Sequence, residues 1–134
     1  MIAALKEDEP HSDRCAEILG KVPEPFILSE PSIVYQEVSG TLARRVGTEV
    51  ADEAKRQLDL IIHPSLLANC TRAFCVSAYP LCFEYDIYAI DAMYLKTALD
   101  NRAVLVSLDK EHFIDRVNSK RPNIEAYHVS EFPY

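Results

Sequence analysis

Glycine is scarce in this chain. Three glycines in 134 residues leave no room for a glycine-rich loop around a phosphate. Neither GxGxxG nor GxxxxGK(S/T) occurs, so nucleotide binding by those routes is not expected. Net positive charge is also lacking, the formal balance being −7. A module that holds nucleic acid by charge alone is normally basic. The acidic balance does not exclude a nuclease, because carboxylates clustered around a metal are themselves acidic. The cysteines, Cys15, Cys70, Cys75 and Cys82, include no CxxC pair of the zinc-site kind. They read as small core hydrophobes. No apolar run approaches a membrane-spanning length, and no secretory signal is read ahead of the cysteines. A reducing, cytoplasmic setting is the default expectation.

What is present is globular. Apolar residues make up 49% of the chain, enough for one real core, and the length is that of one compact domain. No repeat, linker or low-complexity tract interrupts residues 1–134, which read as a single domain. A first helix is expected to start near Pro10 to Ser12, to carry Cys15, Ile18 and Leu19, and to end at Gly20. Phe26-Ile27-Leu28 is a strand candidate. Pro31 suits the first turn of a helix to about Val46, with an apolar stripe of Val34, Val38, Leu42 and Val46. Further helices are expected over about 48–60, 66–79 and 87–100, the last capped by Asp86. Leu60-Ile61-Ile62, Ala103-Val104-Leu105-Val106 and Ala126-Tyr127-His128-Val129 are further strand candidates, and a short helix follows Lys110. Short apolar strands alternating with helices predict βαβ units and a parallel sheet.

Three carboxylates stand out. Asp91 shares a helical stripe with Ile87, Tyr94, Leu95 and Ala98. An ionised carboxylate facing the protein must be paired, hydrogen-bonded or metal-bound. Equally, Asp91 lies in the first turn, where a negative charge suits the helix's positive end. Glu37 sits beside the Val34/Val38 stripe, three residues before Gly40, which leaves open space. Taken alone, such a glutamate is usually a boundary residue with its head in water. Asp109 follows a strand by the step Ser107-Leu108, and ligand sites in open α/β sheets form at the carboxyl ends of strands. Asp109 also suits the N-cap of the helix from Lys110, a role compatible with ligation. Ser107 is either a hydroxyl that orients Asp109 or a plain strand-end residue. His11, His63, His112 and His128 show no metal spacing and read as surface or boundary residues. Arg44, Arg45, Lys96, Arg102 and Lys110 could meet phosphates near such a site, but most are expected on solvated faces and no contact is assigned to any one.

Glu37 in Tyr35-Gln36-Glu37-Val38, then Asp91-Ala92-Met93-Tyr94, then Leu105-Val106-Ser107-Leu108-Asp109-Lys110, resembles the ordered acidic pattern of PIN domains, most closely that of VapC-like toxins. In that family a helix carries D-A-x-Y, and eighteen residues later an L-V-T/S-x-D-K step ends a strand. Asp91 and Asp109 are also eighteen apart. The resemblance covers nearly the whole chain. It implies a three-layer α/β/α fold with a mainly parallel central sheet. It also implies a divalent-metal-dependent endoribonuclease with Glu37, Asp91 and Asp109 as ligands for Mg²⁺ or Mn²⁺, Ser107 beside them, and RNA as substrate. A VapB-like antitoxin and a second copy of the chain are the implied partners.

The family opens with a hydrophobic strand ending in an aspartate. Met1-Ile2-Ala3-Ala4-Leu5 resembles the apolar segment just after it, so the first strand and first acidic residue are expected to be missing from residues 1–134. That expectation supports a rival reading, a catalytically inactive PIN-like domain that binds RNA or a protein. A receiver-like signalling domain ranks lower, because the strand candidates at Phe26 and Leu60 end without a phosphoacceptor aspartate.

Overall fold

The computed structural model describes residues 10–134, so the expected segment Met1–Leu5 lies outside the described residues. The chain divides into two compact units, Met1–Ala68 and Asn69–Tyr134. Each contains a parallel strand pair and helices, as the α/β class requires.

In the first unit, α1 (Ser12–Leu19) is followed by β1 (Glu30–Pro31). A π-type turn (Gln36–Gly40) then runs into α2 (Thr41–Val46), and α3 (Thr48–Ile61) and β2 (Leu67–Ala68) follow. β1 and β2 pair in parallel, Glu30 with Leu67 and Pro31 with Ala68. The expected strand at Phe26–Leu28 does not form. Ile27 is 73% exposed, and the pairing is made one step later, where Ser32 N–H donates to Ala68 O at 2.8 Å. Pro31 therefore ends a strand and does not open a helix. Proline is tolerated at that position because its missing N–H falls at the limit of a two-residue ladder.

Leu60-Ile61-Ile62 is not a strand either. Ala51, Ala54, Leu58 and Ile62 are buried at helical spacing, and α3 continues through Ile61. Leu60 lies off that stripe and is 76% exposed. These residues pack with Val34, Val38 and Leu42 into the core of the unit. Val46, the fourth member of the expected stripe, is 53% exposed, because the helix ends there at Gly47. That glycine's φ of 111° strongly disfavours a side chain.

The second unit begins with α4 (Arg72–Ala78) and α5 (Pro80–Tyr85), followed by α6 (Ala89–Asn101) and β3 (Leu105–Ser107). A π-type turn (Lys110–Ile114), α7 (Asp115–Ser119) and β4 (Ala126–His128) complete it. The single helix expected over 66–79 starts late, because Leu67–Ala68 pairs with β1 and Thr71 supplies the N-cap, its hydroxyl accepting from Phe74 N–H. Pro80, expected near a helix end, instead opens α5 at a position where no N–H is needed.

Asp86 does not cap α6. It closes α5 in the left-handed conformation (φ 53°), and its carboxylate pairs with Arg116 at 2.8 Å. β3 and β4 pair in parallel, with Leu105, Val106 and Ser107 opposite Ala126, Tyr127 and His128. The core of this unit centres on Leu95, Ile114 and Val117, all fully buried. Burial of one such side chain contributes about 1.5–3 kcal/mol.

Cys15 is the buried cysteine, as expected of a core thiol, whereas Cys75 is exposed and Cys70 and Cys82 are half-buried. His128, expected as a surface or boundary residue, is buried at the end of β4. Its Nδ1 accepts from Ser130 N–H and lies 2.7 Å from Ser130 Oγ, closing a short 3₁₀ turn. His63 and Ser65 repeat the arrangement ahead of β2. The His-x-Ser step is thus a capping device that this chain uses twice.

Candidate functional site

Ser107 and Asp109 occupy the carboxyl end of β3. The Ser107 hydroxyl accepts from the Asp109 N–H at 3.1 Å, and Asp109 Oδ1 accepts from the His112 N–H at 2.8 Å. One oxygen of Asp109 therefore caps the turn that follows. A carboxylate has two oxygens with several lone pairs, so capping and ligation are compatible.

Asp91 lies in the first turn of α6 and is half-buried, one turn before the buried Leu95; Ile87, expected on the same helical stripe, is buried but precedes the helix, which starts at Ala89. α6 ends at Arg102 in the left-handed conformation, with Ala103 N–H donating to Ala98 O, and β3 packs against α6. The chain reverses at that point. Ten helical residues carry Asp91 roughly 15 Å from the reversal. Four extended residues, from Leu105 to Asp109, carry the chain roughly 13 Å back. The two spans are of similar length, so the chain path carries Asp109 back toward the end of the unit at which Asp91 lies.

Glu37 belongs to the first unit, half-buried beside Val38 in the π-type turn of residues 36–40. A Cβ on Gly40 would meet only Gln36 Oε1, at 3.9 Å, so the expected open space is present. π-type turns are rare and are enriched at functional positions. Here one contains Glu37 and the other directly follows Asp109. In the first of them the buried Ser39 hydroxyl has no hydrogen-bond partner among the described residues. A buried hydroxyl left without a partner costs about 1–3 kcal/mol, which an ordered water can offset.

Glu30 escaped the sequence reading. It sits on β1, and desolvation pushes its carboxyl up to about 7, with the charge of Glu37 acting in the same direction. No spacing rule links residues 30 and 37, because one is on a strand and the other in a helical turn.

Lys96 pairs with Asp100, and Lys110 with Glu131, so both ammonium groups are already engaged by carboxylates. Arg44 and Arg45 are exposed, as expected. Among the described residues, no three His, Cys, Asp or Glu side chains are grouped to hold a metal ion. The candidate donors are all carboxylate oxygens, the ligand type that Mg²⁺ and Mn²⁺ prefer.

The family model of the PIN domain matches residues 1–119. No curated protein matches the chain.

Proposed function

This chain belongs to the PIN domain family, and from that premise we propose that it is a divalent-metal-dependent endoribonuclease, the VapC-like toxin of a toxin–antitoxin pair. PIN domains are generally metal-dependent nucleases acting on RNA. What supports the reading is Asp109 at the end of β3, capping the turn that follows and braced by Ser107, together with Asp91 in the first turn of the helix that leads into that strand.

Glu37, Asp91 and Asp109 are the proposed ligands for Mg²⁺ or Mn²⁺, in a domain spanning residues 1–134. The bound ion supplies Lewis acidity toward a phosphoryl oxygen and activation of water. The protein's own part is positional. Ser107 holds the Asp109 backbone, the cap fixes that carboxylate's rotamer, and the inward stripe of α6 holds Asp91. Such positioning matters because small misplacements of a ligand cost large factors in rate. The proposed partners are single-stranded RNA, a VapB-like antitoxin and a second copy of this chain, in the cytoplasm. The eighteen-residue interval between Asp91 and Asp109 supports the toxin assignment. No helix among the described residues is long and apolar enough to cross a membrane.

The test is Mn²⁺-dependent cleavage of single-stranded RNA by the wild-type chain, Asp91→Asn and Asp109→Asn. Each variant is expected to lose about 100-fold or more in rate, the scale of a lost electrostatic contribution at the transition state. Cleavage that survives both substitutions and chelation would overturn the reading. RNA binding with no cleavage in any chain would favour the inactive, RNA-binding alternative.

A further inference from the structure

Cys70 and Cys75 flank the start of α4. Thr71 is the N-cap, so Cys70 occupies the position just before the cap and Cys75 the fourth helical position. Side chains at these two positions pack against each other in the hydrophobic staple that sets how a chain enters a helix. Here the Cys75 thiol is directed at the Cys70 backbone carbonyl oxygen at 3.8 Å, which brings the Cys75 side chain back over residue 70. Both residues carry thiols. Cys75 is open to solvent and Cys70 is half-buried. A staple normally uses two hydrophobic side chains with no chemistry of their own. This one uses the only side chains that can be joined covalently under mild oxidation.

We propose that Cys70 and Cys75 form a reversible thiol–disulfide switch that clamps the first turn of α4. The oxidant class is a low-molecular-weight disulfide such as oxidised glutathione. The exposed Cys75, as thiolate, attacks one sulfur of that disulfide. One glutathione thiolate leaves, and a mixed disulfide remains on Cys75. Cys70, as thiolate, then attacks the Cys75 sulfur and expels the second glutathione thiolate. Two protein thiols are oxidised and one glutathione disulfide is reduced to two glutathione thiolates, which take up the two protons that the protein thiols gave up. Reduced glutathione reverses the sequence by the same exchange. The bond would close a ring across Thr71 to Phe74, covering the cap and the first turn of a helix that packs on α6. The inference is independent of the proposed nuclease activity.

The experiment uses the full chain, equilibrated in glutathione buffers of graded oxidation and quenched with acid. Intact mass and peptide mapping are read for wild type and Cys70→Ser. Wild type is expected to lose two hydrogens, with the link mapped to Cys70–Cys75, while Cys15 and Cys82 stay reduced. Because resolution is intramolecular, the glutathione adduct on Cys75 should be about tenfold or more scarcer in wild type than in Cys70→Ser. Amide exchange in the first turn of α4 should slow on oxidation. An adduct equally abundant in both chains, or a link mapped to Cys15 or Cys82, would overturn the proposal. The wild-type mapping decides the matter even if Cys70→Ser folds poorly.

Discussion

The Ser107 hydroxyl accepts the Asp109 backbone N–H at 3.1 Å, so the last residue of β3 holds the loop that presents Asp109. Asp109 in turn caps the following turn through His112 N–H. Local bonding and proposed ligation therefore share one side chain, and substitutions can separate them.

Asp109→Asn keeps a capping oxygen, and asparagine is as good a cap as aspartate. The variant is expected to melt within about 0.5 kcal/mol of wild type while binding Mn²⁺ about tenfold or more weakly. Asp109→Ala loses the cap as well and should cost about 1 kcal/mol of stability. Ser107→Ala removes one hydrogen bond, worth about 0.5–1.5 kcal/mol, and should weaken Mn²⁺ binding less than Asp109→Asn does. Calorimetric metal titration beside thermal melts separates the two effects. Unchanged affinity in Asp109→Asn would remove Asp109 from the ligand set.

Asp86 serves as the control carboxylate. Its left-handed backbone at the end of α5 is tolerated by asparagine and glycine but not by β-branched residues. Asp86→Asn should leave Mn²⁺ affinity unchanged and lower stability by at most about 1 kcal/mol through the partly exposed Arg116 pair. Asp86→Val should cost about 1–2 kcal/mol or more from backbone strain. A larger loss of metal binding in Asp86→Asn than in Asp109→Asn would reverse the site assignment.

Glu30 makes stability depend on pH in a defined direction. Its folded-state carboxyl titrates at about 7, against an ordinary value of 4.5, because burial disfavours the charged form. Between those values the folded chain holds a proton that the unfolded chain releases. Stability therefore falls as pH rises through the window, and the penalty is complete above it. Glu30→Gln carries no charge and should be more stable than wild type by about 1–3 kcal/mol at pH 8. The difference should vanish below pH 4.5. Urea midpoints of the two chains at both ends of the window check this, and a constant difference across pH would disprove it.

Sequence alone determined the features whose causes are local. The helix expected over about 48–60 forms as α3, although the apolar run at its end, expected as a strand, continues it through Ile61. The run ending at Ser107, the cap at Asp109 and the late strand at Ala126–His128 were legible from β-propensity and capping chemistry within a few residues. The family pattern at Glu37, Asp91 and Asp109 was legible for the same reason, as a set of short motifs. Tertiary structure decided what depends on distant partners. β1 and β2 are two residues each, and nothing local marks them, because Glu30 becomes a strand only by pairing with Leu67. The raised carboxyl of Glu30 follows from burial, a property of everything packed around it. Asp86 reads locally as a helix start, yet α6 begins later, at Ala89, after a tight left-handed turn closes α5. Periodicity and caps act over one or two turns of chain, whereas strand pairing and desolvation are set by residues that only the fold brings near.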